Sequence, residues 1–117
     1  MMDLKIQKHD LCNIISLIGD MDLSSTFKLK DTVRSFIDED VKNVIIDFKN
    51  LSYIDSSGIG ALLRINSQFS IPGKSLWFIN ITGQVLEIIK LAKLHEYFPI
   101  TTFNEAIENI KKNTSLG

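Results

Sequence analysis

The stretch that most constrains the fold runs from Val44 to Phe69. It passes from the apolar run Val44-Ile45-Ile46-Asp47-Phe48, through Asn50-Leu51-Ser52-Tyr53-Ile54-Asp55-Ser56-Ser57-Gly58-Ile59-Gly60, into a segment where Ile59, Leu62, Leu63, Ile65 and Phe69 recur at helical spacing. A short, branched, almost continuously apolar run reads as a strand covered on both faces. The periodic segment reads as a helix with one apolar side. A covered strand feeding such a helix implies a sheet with helices packed against it. Between them lie an acid, two hydroxyls and two glycines. Gly58 and Gly60 carry no Cβ, so the backbone there can turn tightly or be approached closely. The first turn of the helix offers free N–H groups and a positive dipole end that favour negative charge.

Three chemistries fit a hydroxyl at that position. Ser56 or Ser57 can cap the helix, for about 1 kcal/mol. The order Ser56-Ser57-Gly58 also resembles the second half of the G-x-S-x-G nucleophile elbow, but position 54 is Ile and the first glycine is missing. A triad would have to recruit His9 or His95, the two histidines of the chain. The third chemistry is a regulated phosphate acceptor, because helix-start N–H groups can also hold a phosphoserine.

Val44 to Gly60, with its Asp55-Ser56-Ser57-Gly58 core, closely resembles the signature of bacterial anti-sigma factor antagonists, the small single-domain STAS proteins. Gly19-Asp20-Met21-Asp22 resembles that family's Gly-acid-apolar-Asp turn after the second strand, with Asp20 where the family often has Glu. The resemblance extends over nearly the whole chain. It implies a cytoplasmic switch in which the unphosphorylated form binds an anti-sigma factor, often itself a serine-protein kinase, and so frees the sigma factor. Phosphorylation of the serine directly after the Asp, here Ser56, ends that binding, and a phosphatase resets it. The implied partner-binding residues are Asp22, Asp55, Ser56, Ser57, Gly58 and Ile59. The rival reading is a STAS scaffold or sensor subunit of a signalling or lipid-transport assembly, docking without a phosphate cycle.

Composition narrows the function classes. The 117 residues make one expected domain, 1–117, able to bury about two-thirds of its unfolded surface. With 13 basic and 14 acidic side chains the net charge is −1, which gives no footprint for nucleic acid. The run Leu76-Trp77-Phe78-Ile79 is far short of a membrane span, and Met1-Met2-Asp3-Leu4 is not a signal peptide. A cytoplasmic protein is expected. The single Cys12 can form no internal disulfide and reads as a small buried apolar residue. No metal or cofactor is expected, and no catalysis by the chain itself.

Around the central unit, residues 3–9 and 11–18 read as a hairpin, with Gly19 breaking the second strand and Asp20 and Asp22 sharing one turn. Leu29, Val33, Phe36 and Ile37 form the stripe of a first helix, capped by Ser24 or Ser25 and stopping before Asp38-Glu39-Asp40. Pro72-Gly73 marks a turn. A strand over 76–81 follows, with Trp77 in the core, then a helix over 82–93 packed through Val85, Ile88, Ile89 and Ala92. An edge strand over 99–101 leads to a last helix, opened by a Thr102-to-Glu105 capping box and packed through Phe103, Ala106, Ile107 and Ile110.

The predicted fold class is therefore α/β: the STAS fold, a mixed, mostly parallel β-sheet of about five strands with about four helices. The turn with Asp22 and the loop with Asp55 and Ser56 should meet at the strand C-terminal edge. With no long exposed apolar stripe expected, the free chain reads as a monomer that forms a heteromer with its partner.

Overall fold

The paired apolar runs at the start of the chain form an antiparallel hairpin of β1 (Met2–Lys8) and β2 (Asn13–Met21). There follow α1 (Leu23–Asp38), β3 (Asn43–Ile54), α2 (Ser56–Phe69), β4 (Ser75–Ile79), α3 (Gly83–Leu91), β5 (Ile100–Thr101) and α4 (Phe103–Leu116). The computed structural model describes residues 1–116, and the side chains of residues 1–113. The strands lie in the order β1-β2-β3-β4-β5, and every pair after the first is parallel. This is the mixed, mostly parallel sheet with four helices that the alternation predicts.

Each parallel crossover steps in the same direction across the sheet. With the right-handed sense such crossovers take, α1, α2 and α3 fall on one face. The core follows from that placement. Ile15, Leu17, Val44, Ile46 and Phe78 of the sheet pack with Leu29, Val33 and Phe36 of α1, Leu62, Ile65 and Phe69 of α2, and Val85 and Ile89 of α3. Ile14, Ile45 and Ile79 point to the opposite face, where Cys12 and Ala106 and Ile110 of α4 cover them. Burial on both faces is why β3 reads as a continuous apolar run.

Several boundaries differ from the sequence reading, each for a local reason. β2 does not stop at Gly19 but runs through it to Met21, with a register shift between Gly19 and Asp20. Gly19 sits at φ +99°, and a Cβ there would lie 2.5 Å from the Met1 carbonyl oxygen, so the kink needs glycine. Asp20 is thus a strand residue and does not share a turn with Asp22. β3 likewise continues past its apolar run: Asn50 to Ile54 still pair with β2, whereas β4 ends opposite Asp47. Leu51 and Ile54 turn inward while Asn50, Ser52 and Tyr53 are exposed, a spacing that does not alternate regularly. α3 packs against β3.

α1 enters the acidic triplet by one residue. It closes with Asp40 at φ 58°, the Val41 N–H donating to the Phe36 carbonyl at 2.8 Å and Asp40 N–H to Ile37 at 3.0 Å. That pattern satisfies the last carbonyls without a cation. β4 ends at Ile79, before the left-handed Asn80 at φ 61°. Ala92 is the C-cap of α3 and is exposed instead of packed. At α4, Thr102 Oγ1 accepts from Glu105 N–H at 3.2 Å, but the Glu105 carboxylate accepts from Thr101 Oγ1 at 2.6 Å, so the capping box is one-sided. Phe103 lies outside the buried stripe, edge-on to the His9 ring at 6.3 Å between centroids.

Trp77 is half-buried against the α4 side. Its indole N–H donates to Ser75 Oγ at 3.2 Å, Ser75 donates to Asn43 Oδ1 at 2.7 Å, and Asn43 Nδ2 donates to the Leu11 carbonyl at 3.1 Å. This chain of bonds ties β4 and β3 to the hairpin. Ser75→Ala removes its middle member and is expected to cost about 1–3 kcal/mol. Denaturant unfolding read on the single tryptophan measures this, and an unchanged midpoint with unchanged emission would show that the network adds nothing.

Candidate functional site

The parallel register brings the C-terminal ends of β2 and β3 together, pairing Met21 with Ile54, and Asp55 N–H donates to the Met21 carbonyl at 3.3 Å. The next residue on each strand is an aspartate that caps a helix. Asp22 Oδ1 accepts from Ser25 N–H at 3.0 Å, Ser25 Oγ at 2.8 Å and Ser24 Oγ at 2.9 Å. Asp55 Oδ1 accepts from Ser57 N–H at 3.0 Å, Gly58 N–H at 3.1 Å and the Ser57 hydroxyl. The caps are therefore Asp22 and Asp55, not the serines that the sequence reading assigned. An ionised carboxylate accepts several donors at once and takes the position one or more residues earlier.

These donors stabilise the charged form of both acids. The Ser25 amide and hydroxyl and the Ser24 hydroxyl hold Asp22 down to about 2 from 3.8. The Ser57 hydroxyl and the Gly58 amide lower Asp55, while the nearby Asp22 charge opposes that shift. Two like charges thus stand side by side at neutral pH.

With Asp55 as cap, Ser56 occupies the first helical position with its side chain exposed, and its hydroxyl forms no hydrogen bond among the described residues. Ser57 is half-buried and tied to Asp55. Ile59 lines a shallow groove of about 590 Å³ with Tyr53, Asp55, Ser56, Ile88 and Leu91. Gly58 is buried, which takes it out of the exposed surface of the free chain. A Cβ there would lie 2.6 Å from Ile54 Cγ1 and 3.0 Å from Met21 Sδ, so its part is to seat α2 against the strand ends. Gly60 is exposed, and a Cβ added to it would meet nothing within 4 Å.

The structure thus brings together Asp22, Asp55, Ser56, Ser57 and Ile59, and withdraws Gly58 from the surface. Sequence reasoning missed apolar residues around them: Leu23 is 62% exposed, Phe27 59% and Leu91 82%. Their signal was available, since each lies off the apolar stripe of its helix. The expectation of no exposed apolar stripe is corrected accordingly. His9, in the β1–β2 turn, lies at the far end of β2 from this site. Among the described residues no group of three or more His, Cys, Asp and Glu side chains could hold a metal, and no helix is long and apolar enough to cross a membrane.

Both the sequence and the fold of this chain have relatives among known proteins. The STAS domain profile matches residues 3–109, and the chain belongs to that family. The anti-sigma F factor antagonist of Paenibacillus polymyxa is 23% identical over 104 residues, covering 85% of this chain and 86% of that protein. The crystal structure of an anti-sigma factor antagonist from Mycobacterium paratuberculosis is similar at a TM-score of 0.82, with 16% identity and 95% of each chain covered. The anti-sigma factor antagonist SpoIIAA of Bacillus is similar in its unphosphorylated form at 0.75, with 22% identity, covering 94% of this chain and 97% of that one. Its phosphorylated form gives 0.70 and 20% identity, covering 92% of this chain and 99% of that one.

The two glycines separate packing from exposure. Gly58→Ala forces a methyl into the Ile54–Met21 contact and is expected to destabilise by about 1–3 kcal/mol. Gly60→Ala meets open space within a helix and should stabilise by about 0.5–1 kcal/mol. Melts of both variants check the pair, and the same sign for both would contradict the packing. The depressed Asp22 predicts a pH dependence too. Its stabilising contribution is full above the ordinary 3.8 and is lost as pH falls toward about 2. Melting temperatures should therefore differ between wild type and Asp22→Asn above that window and converge within it.

Proposed function

We propose that this chain is an anti-sigma factor antagonist of the cytoplasm that binds an anti-sigma factor of the serine-kinase type, and that phosphorylation of Ser56 ends the binding. The observation that carries the reading is the Ser56 hydroxyl: exposed, without a hydrogen bond among the described residues, at the start of α2 and directly after the ionised Asp55. Support comes from the relatives that carry the name anti-sigma factor antagonist, one of them solved in both unphosphorylated and phosphorylated forms.

The electrostatics favour release over refolding. A phosphate adds about −1.5 to −2 charges at neutral pH. The helix start offers it little neutralisation, because the Ser57 and Gly58 N–H groups already bond Asp55. Asp55 and Asp22 add repulsion, so the phosphate stays at the surface, facing the partner. A like charge about 5 Å away costs on the order of 1 kcal/mol in water-like surroundings and about 3 kcal/mol at an effective dielectric near 20. Two such contacts at the weaker value lower affinity by roughly thirtyfold, and a single one at the stronger value by roughly a hundredfold. The kinase supplies ATP and Mg2+, and a phosphatase restores the hydroxyl.

The test is the affinity of Ser56→Ala and Ser56→Asp for the kinase recovered with Ser56→Ala from the source cells. Ser56→Ala should bind like the unmodified chain and Ser56→Asp at least tenfold more weakly. Equal affinities would leave a scaffold that docks without a phosphate cycle.

A further inference from the structure

Resting on that reading, we infer that the outer stripe of α1 is the second half of the docking surface, and that it receives an amphipathic segment of the same partner. Leu23, Phe27, Lys30 and Arg34 recur at intervals of four, three and four residues, so they lie in one row along the helix. Leu23 and Phe27 are large apolar side chains left mostly uncovered by the fold. Leu23 holds the first helical position of α1, as Ser56 does in α2, and the two helices leave strand ends that pair at Met21 and Ile54. Lys30 Nζ stands 5.7 Å from the Phe27 ring centroid, and Arg34 beyond it is exposed.

The charges along the row give the occupant its chemistry and its direction. At the first end Asp22 and Asp55 are ionised, and the Met1 ammonium stands 3.7 Å from Asp22 Oδ2. The middle is apolar. The other end is cationic through Lys30 and Arg34, with the exposed Asp31 at the side of the row. The complementary ligand is a protein segment with apolar side chains over Leu23 and Phe27 and acidic side chains over Lys30 and Arg34. Complementary charge patterns of this kind fix orientation and exclude wrong partners more than they add affinity. The apolar middle supplies the binding strength.

The kinase recovered with Ser56→Ala is purified and titrated against wild type, Leu23→Ser/Phe27→Ser, Arg34→Glu and Ser56→Asp, with melting temperatures alongside. Because the replaced side chains are exposed, the α1 variants should melt like wild type. Leu23→Ser/Phe27→Ser should lose at least about tenfold in affinity, and Arg34→Glu should lose several-fold at low salt and little at high salt. If both α1 variants bind like wild type while Ser56→Asp binds weakly, the α1 stripe is not part of the interface and the switch alone stands. If the α1 variants bind weakly while Ser56→Asp does not, the stripe is confirmed and the phosphate switch fails. Sedimentation showing wild-type dimers that Leu23→Ser/Phe27→Ser dissociates would name a second copy as the occupant and overturn the inference.

Discussion

The parallel pairing of β2 with β3 up to Met21 and Ile54 is the constraint on which the rest of the site depends. Because both strands end together, the next residue of each meets the start of a helix on the same edge. In both cases that residue is an aspartate, and in both its carboxylate closes the free N–H groups of the first turn. Helix capping, strand register and surface charge are therefore one arrangement seen at three scales. Gly58 lets the second helix settle against Ile54 and Met21, and so fixes how far Ser56 projects.

Using aspartate as the cap has a consequence for the serine that follows it. A serine in the cap position would spend its hydroxyl on the helix. With Asp55 there instead, the hydroxyl of Ser56 makes no hydrogen bond among the described residues, while Ser57 supplies the internal donor. The same cap also uses two of the N–H groups that would otherwise neutralise an anion. The geometry therefore suits a hydroxyl whose modification is read by something outside the chain, since little inside it can absorb the new charge.

Much of this was legible in the sequence. The continuous apolar run of β3 and the one-sided stripe of α2 pointed to the α/β class, because burial on two faces and burial on one leave different periodicities. The boundaries were less legible. Gly19 reads as a strand breaker, yet here it sustains a kinked strand through a positive φ, and the ending of β3 is hidden by an irregular inward spacing at Leu51 and Ile54. Which of several polar residues caps a helix was also undecided locally, since Asp and Ser serve almost equally and the choice depends on where the strand stops. Gly58 read as a surface residue because sequence cannot tell a glycine needed for close packing from one needed for approach. Leu23, Phe27 and Leu91 were visible as apolar residues off their stripes, but only the packed structure shows that no other element covers them.

The central claim is that Ser56 is a regulated acceptor. Phosphosite mapping by mass spectrometry on the protein isolated from its native cells, during growth and under stress, tests it most directly. The account predicts phosphate on Ser56, with an occupancy that changes between the two conditions. A Ser56 that is unmodified in both would contradict it.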